Sequence, residues 1–412
     1  MGRSPLHLFE RFGIEMEYML VDAQTLDVRS AADELLRHVA GQTVSDIERG
    51  PITWSNELAL HVIELKTSQP AKSFLRLPSD FETAIADLQP SLDALHLKLL
   101  PTAVHPWMNP ETETKLWPHE CAEIYEAYHQ IFNCHAHGWA NVQSVHLNLP
   151  FDGDGEFGKL HAAVRILLPL LPALAASSPV LEGAYTGLHD TRMQLYAKHC
   201  HVVPFLSGAL IPEPIFDEET YRREIFGRIS HDIAPHNTHD VLQVEFLNAR
   251  GAIARFDRGS IELRVMDVQE YPAADVAICA GVSAVLRVLC EGHWSDLESQ
   301  KRMPSDALCQ ILDSTIQRGE HARITNPEFL AHFGISKSAI TAKQLWNEML
   351  STLKRSDPML DGLFAPLEII LSTGTLSSRI AEALGPSFTP GRLRDVYHDL
   401  ADCLVRWQSF QP

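Results

Sequence analysis

The sequence predicts an α+β fold, and three observations carry that expectation. Four separated segments alternate apolar and polar side chains with the two-residue period of a strand that has one face on a core. Long intervening segments repeat apolar residues at helical spacing, and residues 306–410 read as almost wholly helical.

The first segment is Phe12-Gly-Ile-Glu-Met-Glu-Tyr-Met-Leu-Val-Asp22, where Glu15 and Glu17 share one face and Ile14, Met16, Tyr18 and Leu20 the other. A polar turn at 22–27 and a short helix at 31–40 follow. Residues 52–67 form a second apolar segment carrying Glu57 and Glu64. Carboxylates in such surroundings need cations or metal, Lys66 being the plainest partner for Glu64. A helix is expected over 73–100 from the spacing of Phe74, Phe81, Ile85, Leu88, Leu92 and Leu99. A short strand at 100–105, a Trp- and Pro-rich loop at 106–118 and a helix at 121–137 come next.

Strand 140–151 puts His146 and Asn148 on one face. Asp152-Gly-Asp-Gly155 turns the chain into a helix over 159–176, which its Leu-Leu-Pro-Leu-Leu-Pro run should kink. A loop at 177–192 ends on Arg192, a helix is expected at 221–229 and a strand at 241–247. Arg250, Arg255 and Arg258 then cluster just before the fourth alternating segment, Gly259-Ser-Ile-Glu-Leu-Arg-Val-Met-Asp-Val-Gln-Glu-Tyr-Pro272. There Ile261, Leu263 and Val265 take the core face, and Glu262, Arg264 and Met266 the other. Residues 272–290 are an Ala/Val-rich helix, and the final helical region breaks near 355–358 and 384–390.

The chain has 412 residues, 45% of them hydrophobic, enough for a large core. With no solenoid repeat or clear linker it reads as one domain, 1–412, whose residues 300–412 make a mainly helical layer. A formal net charge of -19 disfavours nucleic acid or an anionic membrane as the main partner, while leaving room for a local cationic pocket. No run reads as long enough to span a bilayer, the richest being 166–176, and residues 1–10 lack a secretory pattern. A cytoplasmic location is therefore expected. Seven cysteines without a Cys-x-x-Cys pair read as reduced thiols.

Each strand-borne polar set is, by itself, equally a solvated face. Together, Glu15/Glu17, Glu57/Glu64 and His146 offer hard oxygens with one imidazole, a donor set that suits Mg2+ or Mn2+ better than zinc. Such ions could hold the phosphates of ATP while arginines, whose planar forks match phosphate and carboxylate, offset charge on the transferring group. Neither a Gly-x-x-x-x-Gly-Lys-Ser/Thr loop nor a Gly-x-Ser-x-Gly elbow is present, and Cys134-His-Ala-His137 with His199-Cys-His201 lacks paired-cysteine zinc spacing.

In order and spacing these motifs resemble the glutamate-cysteine ligases and related carboxylate-amine ligases of the glutamine synthetase superfamily, over roughly residues 10–290. Phe12-Gly-Ile-Glu-Met-Glu-Tyr18 looks like the family's Gly-x-Glu-x-Glu strand. Glu57 with Glu64-Leu-Lys-Thr67 looks like its next acidic segment, and Val145-His-Leu-Asn-Leu149 is similar to its His-x-Asn strand. The Ser178–Arg192 stretch resembles its Ser-Pro-x-x-x-Gly loop, and Ile261-Glu-Leu-Arg-Val-Met-Asp267 the superfamily's Ile-Glu-x-Arg-x-x-Asp segment.

The resemblance implies an antiparallel sheet curved into a funnel and flanked by helices, like the glutamine synthetase catalytic domain, with ATP at one end, the acid at the other and Mg2+ or Mn2+ between. It implies Glu15, Glu17, Glu64, His146 and Glu262 as metal-site residues, with Glu57 less directly so. Arg264, helped by Arg255 or Arg258, would face the phosphoryl group, and Asn148 would join Arg264 and Arg255 at the nucleotide. Arg192, Arg250 and Glu57 would meet the organic substrates. The implied reaction is ATP-dependent amide formation through an acyl phosphate, with glutamate and cysteine giving γ-glutamylcysteine for glutathione biosynthesis as the leading pair. The alternatives are another acid or amine, or a catalytically silent metal- or nucleotide-binding homologue; self-association stays open. Ser144 stands where many of these ligases have the first histidine of His-x-His, and no short motif marks residues that recognise cysteine.

Overall fold

The computed structural model describes residues 5–237 and 240–412. Residues 1–4, the start of the stretch read for a signal, and residues 238–239 lie outside it. Eight strands form one antiparallel sheet: β1 (Gly13–Asp22), β2 (Asp46–Arg49), β3 (Ile52–Asn56), β4 (Val62–Thr67), β5 (Leu97–Leu100), β6 (Ser144–Pro150), and, after a separate hairpin of β7 (Val180–Leu181) and β8 (Ala184–Tyr185), β9 (Ala252–Arg255) and β10 (Ser260–Asp267). The order is β2-β3-β4-β1-β6-β10-β9, with β5 paired to the far end of β1. The sheet is open, with β2 and β9 at its edges, and helices pack against it.

Local pattern explains the strands. Ile14, Met16, Tyr18 and Leu20 of β1 are fully buried in the main core, the expected alternation. The opposite face is polar only over Glu15–Glu17. Further along, Met19 and Val21 enter a second apolar cluster with Leu376, Ile380, Val396 and Leu400, so the C-terminal helices Leu376–Leu384 and Pro390–Arg406 cover that end of the sheet. The main core is completed by helices Leu77–Ala94, Gly153–Leu167 and Pro272–Cys290.

Several expectations change. The helix over 73–100 stops at Ala94, because His96 adopts a left-handed φ of 55° and Leu97–Leu100 pairs with β1; the strand foreseen at 100–105 is this earlier one. The helix over 121–137 ends at Phe132, where Asn133 takes φ 55°. Residues 241–247 hold a helical turn, Val244–Leu247, which buries Leu247 while Phe246 stays 53% exposed; the strand comes later, at Ala252–Arg255, inside the arginine cluster. The proline run splits its helix as expected, into Gly153–Leu167, a 3-10 turn at Leu168–Leu170 and Pro172–Ala175. Helix Pro272–Cys290, and not 166–176, is the most apolar long run, with a mean hydropathy of 1.9. It is long enough to cross a membrane, yet 78% of that window is buried inside the protein, as befits a core helix.

In β10, register slips between Leu263 and Met266, a bulge against β6. Glu262 and Arg264 keep a common face, but Met266 turns into the core, against the simple alternation.

Candidate active site

Antiparallel register places the polar sets side by side. Glu15 lies opposite His146, Glu17 opposite Glu64, and Glu262 opposite Asn148, so side chains from β1, β4, β6 and β10 share one face of the sheet. Gly13 is needed for this closeness, since a Cβ there would sit 3.0 Å from that of Asn148. The face lines a cavity of about 650 Å³ that also receives Glu57, Arg192, Tyr196, Arg255, Arg258 and Arg264.

The cavity is divided by charge. At one side, one carboxylate oxygen each from Glu17, Glu57 and Glu64 lies within 4.8 Å of the others. Ser144 donates its backbone N–H to Glu17 at 2.7 Å, Ser55 its hydroxyl to Glu64 at 2.9 Å, and Leu58 its N–H to Glu57 at 3.1 Å. Lys66 Nζ reaches Glu64 at 2.7 Å. Burial, with Glu64 and Glu17 close by, pushes the Glu57 carboxyl up to about 8, and burial beside Glu15 pushes Glu64 up to about 7. Among the described residues Lys66 is the one lysine or arginine paired directly with these three carboxylates, too little positive charge to balance them. In the middle, Glu15 accepts from His146 Nδ1 at 3.1 Å and from Asn148 Nδ2 at 3.1 Å. Burial opposes a charge on His146, but the bond to Glu15 and the field of Glu17 outweigh it and hold the imidazole up at about 9.

At the other side Glu262 bridges two guanidiniums, Arg255 Nε at 3.1 Å and Arg264. Burial alone would raise its carboxyl; Arg264, His146 and Arg255 instead hold it far below the ordinary range. Arg264 also donates to the Tyr196 hydroxyl at 3.3 Å. Arg192 is 1% exposed, its Nε on Asp267 and its Nη1 3.3 Å from the Arg264 carbonyl, while Nη2 is buried at the cavity wall without a partner. Arg258 is more exposed and pairs loosely with Asp257 at 3.7 Å.

Not every expected residue comes to this cavity. Arg250 is fully buried elsewhere, its fork on both oxygens of Glu213 and its guanidinium 4.7 Å from the Phe205 ring, and it does not line this cavity. Asn148 lines an adjoining opening of about 210 Å³ with Gly13, Thr67 and Ser260, and Glu15, Lys66 and Arg258 belong to both spaces. Glu57, expected at a substrate, stands in the three-carboxylate group. Glu262, expected on metal, sits between arginines. Sequence reading missed Ser55, Tyr196 and the role of Ser144, which links Glu17 to His146 through its hydroxyl at 3.1 and 2.9 Å; its i, i+2 relation to His146 was the available signal.

Among the described residues the three-glutamate group is the one cluster with metal-ligand proximity. His137 instead contacts Glu182 at 3.4 Å and Asn141 at 3.0 Å. Cys200 and His199 touch at 3.2 Å, but burial drives the thiol above and the imidazole down to about 4, leaving a neutral pair unsuited to nucleophilic attack. A larger cavity, about 710 Å³, opens between the Trp107 loop and Arg394. There Arg394 is engaged by Asp27 and the Trp107 ring, and of the motif residues Glu182 and Gly183 of the Ser178–Arg192 loop line it, while the strand-borne glutamates, His146 and the clustered arginines do not.

The fold is one shared with ligases. A Francisella tularensis glutamate-cysteine ligase, solved in complex with AMP, superposes with a TM-score of 0.54 at 14% identity, covering 98% of this chain and 90% of that one. A bifunctional glutathione synthetase from Pasteurella multocida superposes with a TM-score of 0.58 at 13% identity, over 97% of this chain and 52% of the other. The model of glutamate-cysteine ligase family 2 matches residues 11–330, and the chain belongs to that family. An uncharacterized protein of Archaeoglobus fulgidus is 34% identical over 307 residues, 74% of this chain and 80% of its own length. A candidate glutamate-cysteine ligase 2 of Bradyrhizobium sp. (strain ORS 278) is 30% identical over 236 residues, 55% of this chain, and the match spans 51% of that relative.

Proposed function

We propose that the protein is an ATP- and Mg2+-dependent ligase that phosphorylates a carboxylate, in its most specific form the γ-carboxylate of glutamate, and joins it to an amine. The observation that carries this reading is the charge division of one cavity, Glu17, Glu57 and Glu64 within 4.8 Å across from Arg192, Arg255, Arg258 and Arg264. The three carboxylates fit a hard divalent cation: they are oxygen donors, converging, and short of positive charge. Glu15 and His146 adjoin them and extend the metal site, with Mn2+ an acceptable substitute. When bound, the cation would neutralise and orient phosphate oxygens.

The nucleotide lies toward the opening lined by Asn148, with Lys66 and Arg258 at the passage between the two spaces. A carboxylate oxygen of the acid forms a bond to the γ-phosphorus as the bond to ADP breaks. Arg264 and Arg255, fixed by Glu262, offset the charge of the transferring group. The free Nη2 of Arg192 takes a second carboxylate of the acid. The amine nitrogen then attacks the acyl carbon, phosphate leaves, and the amine proton passes to solvent. The C-terminal helices, residues 300–412, act as a supporting layer of a single catalytic unit. Cysteine is the acceptor that the family's description names.

Incubation of the purified protein with ATP, Mg2+, glutamate and a panel of amines tests the reading. Amine-dependent ADP and a matching amide mass are expected, lost in Glu17→Gln and Glu64→Gln variants that still fold. Absence of amine-dependent ADP from every acid and amine pairing overturns it, as does unimpaired turnover in both variants.

A further inference from the structure

Beyond Arg264 the cavity continues into a side chamber of about 130 Å³, against about 30 Å³ per water in the liquid. Tyr128, Trp139, Val142, Tyr196 and Arg264 line both spaces, so the chamber opens where phosphoryl transfer is placed. Its remaining walls include His199, Leu206, Leu247 and Phe246.

The polar atoms of the aromatic walls are already used. Trp139 Nε1 donates to the His199 carbonyl at 3.1 Å, and the Tyr128 hydroxyl to the Phe246 carbonyl at 3.1 Å. The Tyr196 hydroxyl accepts from Arg264 at 3.3 Å, and His199 is bonded to Cys200 and to the Tyr196 carbonyl. What faces the chamber is mainly ring and aliphatic surface, with the Arg264 guanidinium, already paired with Glu262, at its mouth: Trp139 stands 5.4 Å from Tyr128 and 4.7 Å from His199, and Tyr196 stacks on His199 at 4.3 Å. Phe246 closes the outer side with the Arg255 guanidinium 5.3 Å over its ring. No carboxylate or lysine lines it. Walls of this kind select an apolar or aromatic group by area and shape.

We infer that this chamber holds the side chain of the acceptor amine, and that the acceptor carries an aliphatic or aromatic side chain larger than that of cysteine. The inference rests on the ligase reading above. Of the three substrates, the nucleotide is assigned to the Asn148 opening, and the acid carries further charged groups that suit Arg192 and not bare rings. The acceptor is the substrate left for the chamber.

The test measures ADP release with ATP, Mg2+ and glutamate fixed while glycine, alanine, cysteine, leucine, phenylalanine, lysine and aspartate are varied. kcat/KM for leucine or phenylalanine should exceed that for alanine and cysteine by about tenfold or more. Two variants then address the chamber. Val142→Phe blocks its mouth and Phe246→Ala, at an exposed position, opens its outer wall; each should lower the ratio of phenylalanine to alanine turnover by about tenfold, with folding checked by thermal melting. Turnover with alanine or cysteine as good as with the larger amines overturns the inference and leaves the ligase reading standing. A tenfold weaker ATP affinity with an unchanged amine ratio overturns it in favour of an adenine site, and no turnover with any amine, on glutamate or on any other acid tried in its place, removes both.

Discussion

Glu57 and Glu64 show how a single residue's surroundings become a measurable property of the whole site. Their carboxyls, pushed up to about 8 and about 7, hold protons near neutrality, and a protonated carboxyl does not ligate a cation. Mg2+ affinity should therefore fall as the pH drops through that range, by about tenfold per pH unit for each proton displaced. Calorimetry at pH 6.5 and 8.5 reads the change, and titrations near pH 7 in buffers of different ionisation enthalpy should reveal proton release. An affinity that ignores pH would count against these glutamates as ligands. Away from the site, His161 lies among Phe157, Phe216 and Tyr221, and burial together with Arg165 drives its pKa from 6.5 down to about 3. The unfolded chain binds a proton there that the folded chain refuses. Wild-type stability relative to His161→Phe is thus greatest above pH 6.5 and declines on acidification, by about 1.4 kcal/mol per pH unit until about pH 3. Melting both proteins at pH 7.5 and pH 5 should show the gap moving toward the variant.

At the scale of elements, the bulge in β10 is what lets Glu262 and Arg264 face the cavity while Met266 fills the core. Its neighbour Gly251 is packed so closely that a Cβ would meet Val265 at 2.7 Å and the Leu210 carbonyl at 3.1 Å, and its own carbonyl accepts from Arg264 N at 3.1 Å. Gly251→Ala should cost about 1–3 kcal/mol of stability through overpacking and shift Arg264. Denaturant unfolding would measure the first effect. Slower turnover with unchanged Mg2+ affinity would mark the second, because the three-glutamate group lies on β1, on β4 and just past the end of β3. A wild-type unfolding midpoint would show that the bulge can yield without cost.

Across the whole molecule, the C-terminal helices are tied to the end of β10 by one buried pair. Arg379 and Glu270 are 1% and 0% exposed, and both also bond the backbone of Phe410. Removing one partner strands the other's charge, so Arg379→Met should cost about 3–5 kcal/mol. Adding Glu270→Gln should recover part of that loss, seen as a higher melting midpoint in the double variant than in the single one. If the single variant melts like wild type, this pair does not hold the layer in place.

The sequence by itself determined which side chains share a strand face. Glu15 with Glu17, His146 with Asn148, and Glu262 with Arg264 follow from a two-residue period that neighbouring backbone geometry enforces. Motif order was equally legible, since it is linear, and it marked the family. Only tertiary structure decided partners. Arg250 looks like its neighbours Arg255 and Arg258 in sequence, yet Glu213, 37 residues away, claims it; Glu57, beyond the end of β3 (Ile52–Asn56), is brought to Glu17 and Glu64 by the return of β4. The aromatic chamber is assembled from segments around residues 128, 142, 199 and 246, whose local patterns do not show that they meet. Electrostatic pairing and cavity shape depend on distance through space, and spacing along the chain carries no record of it.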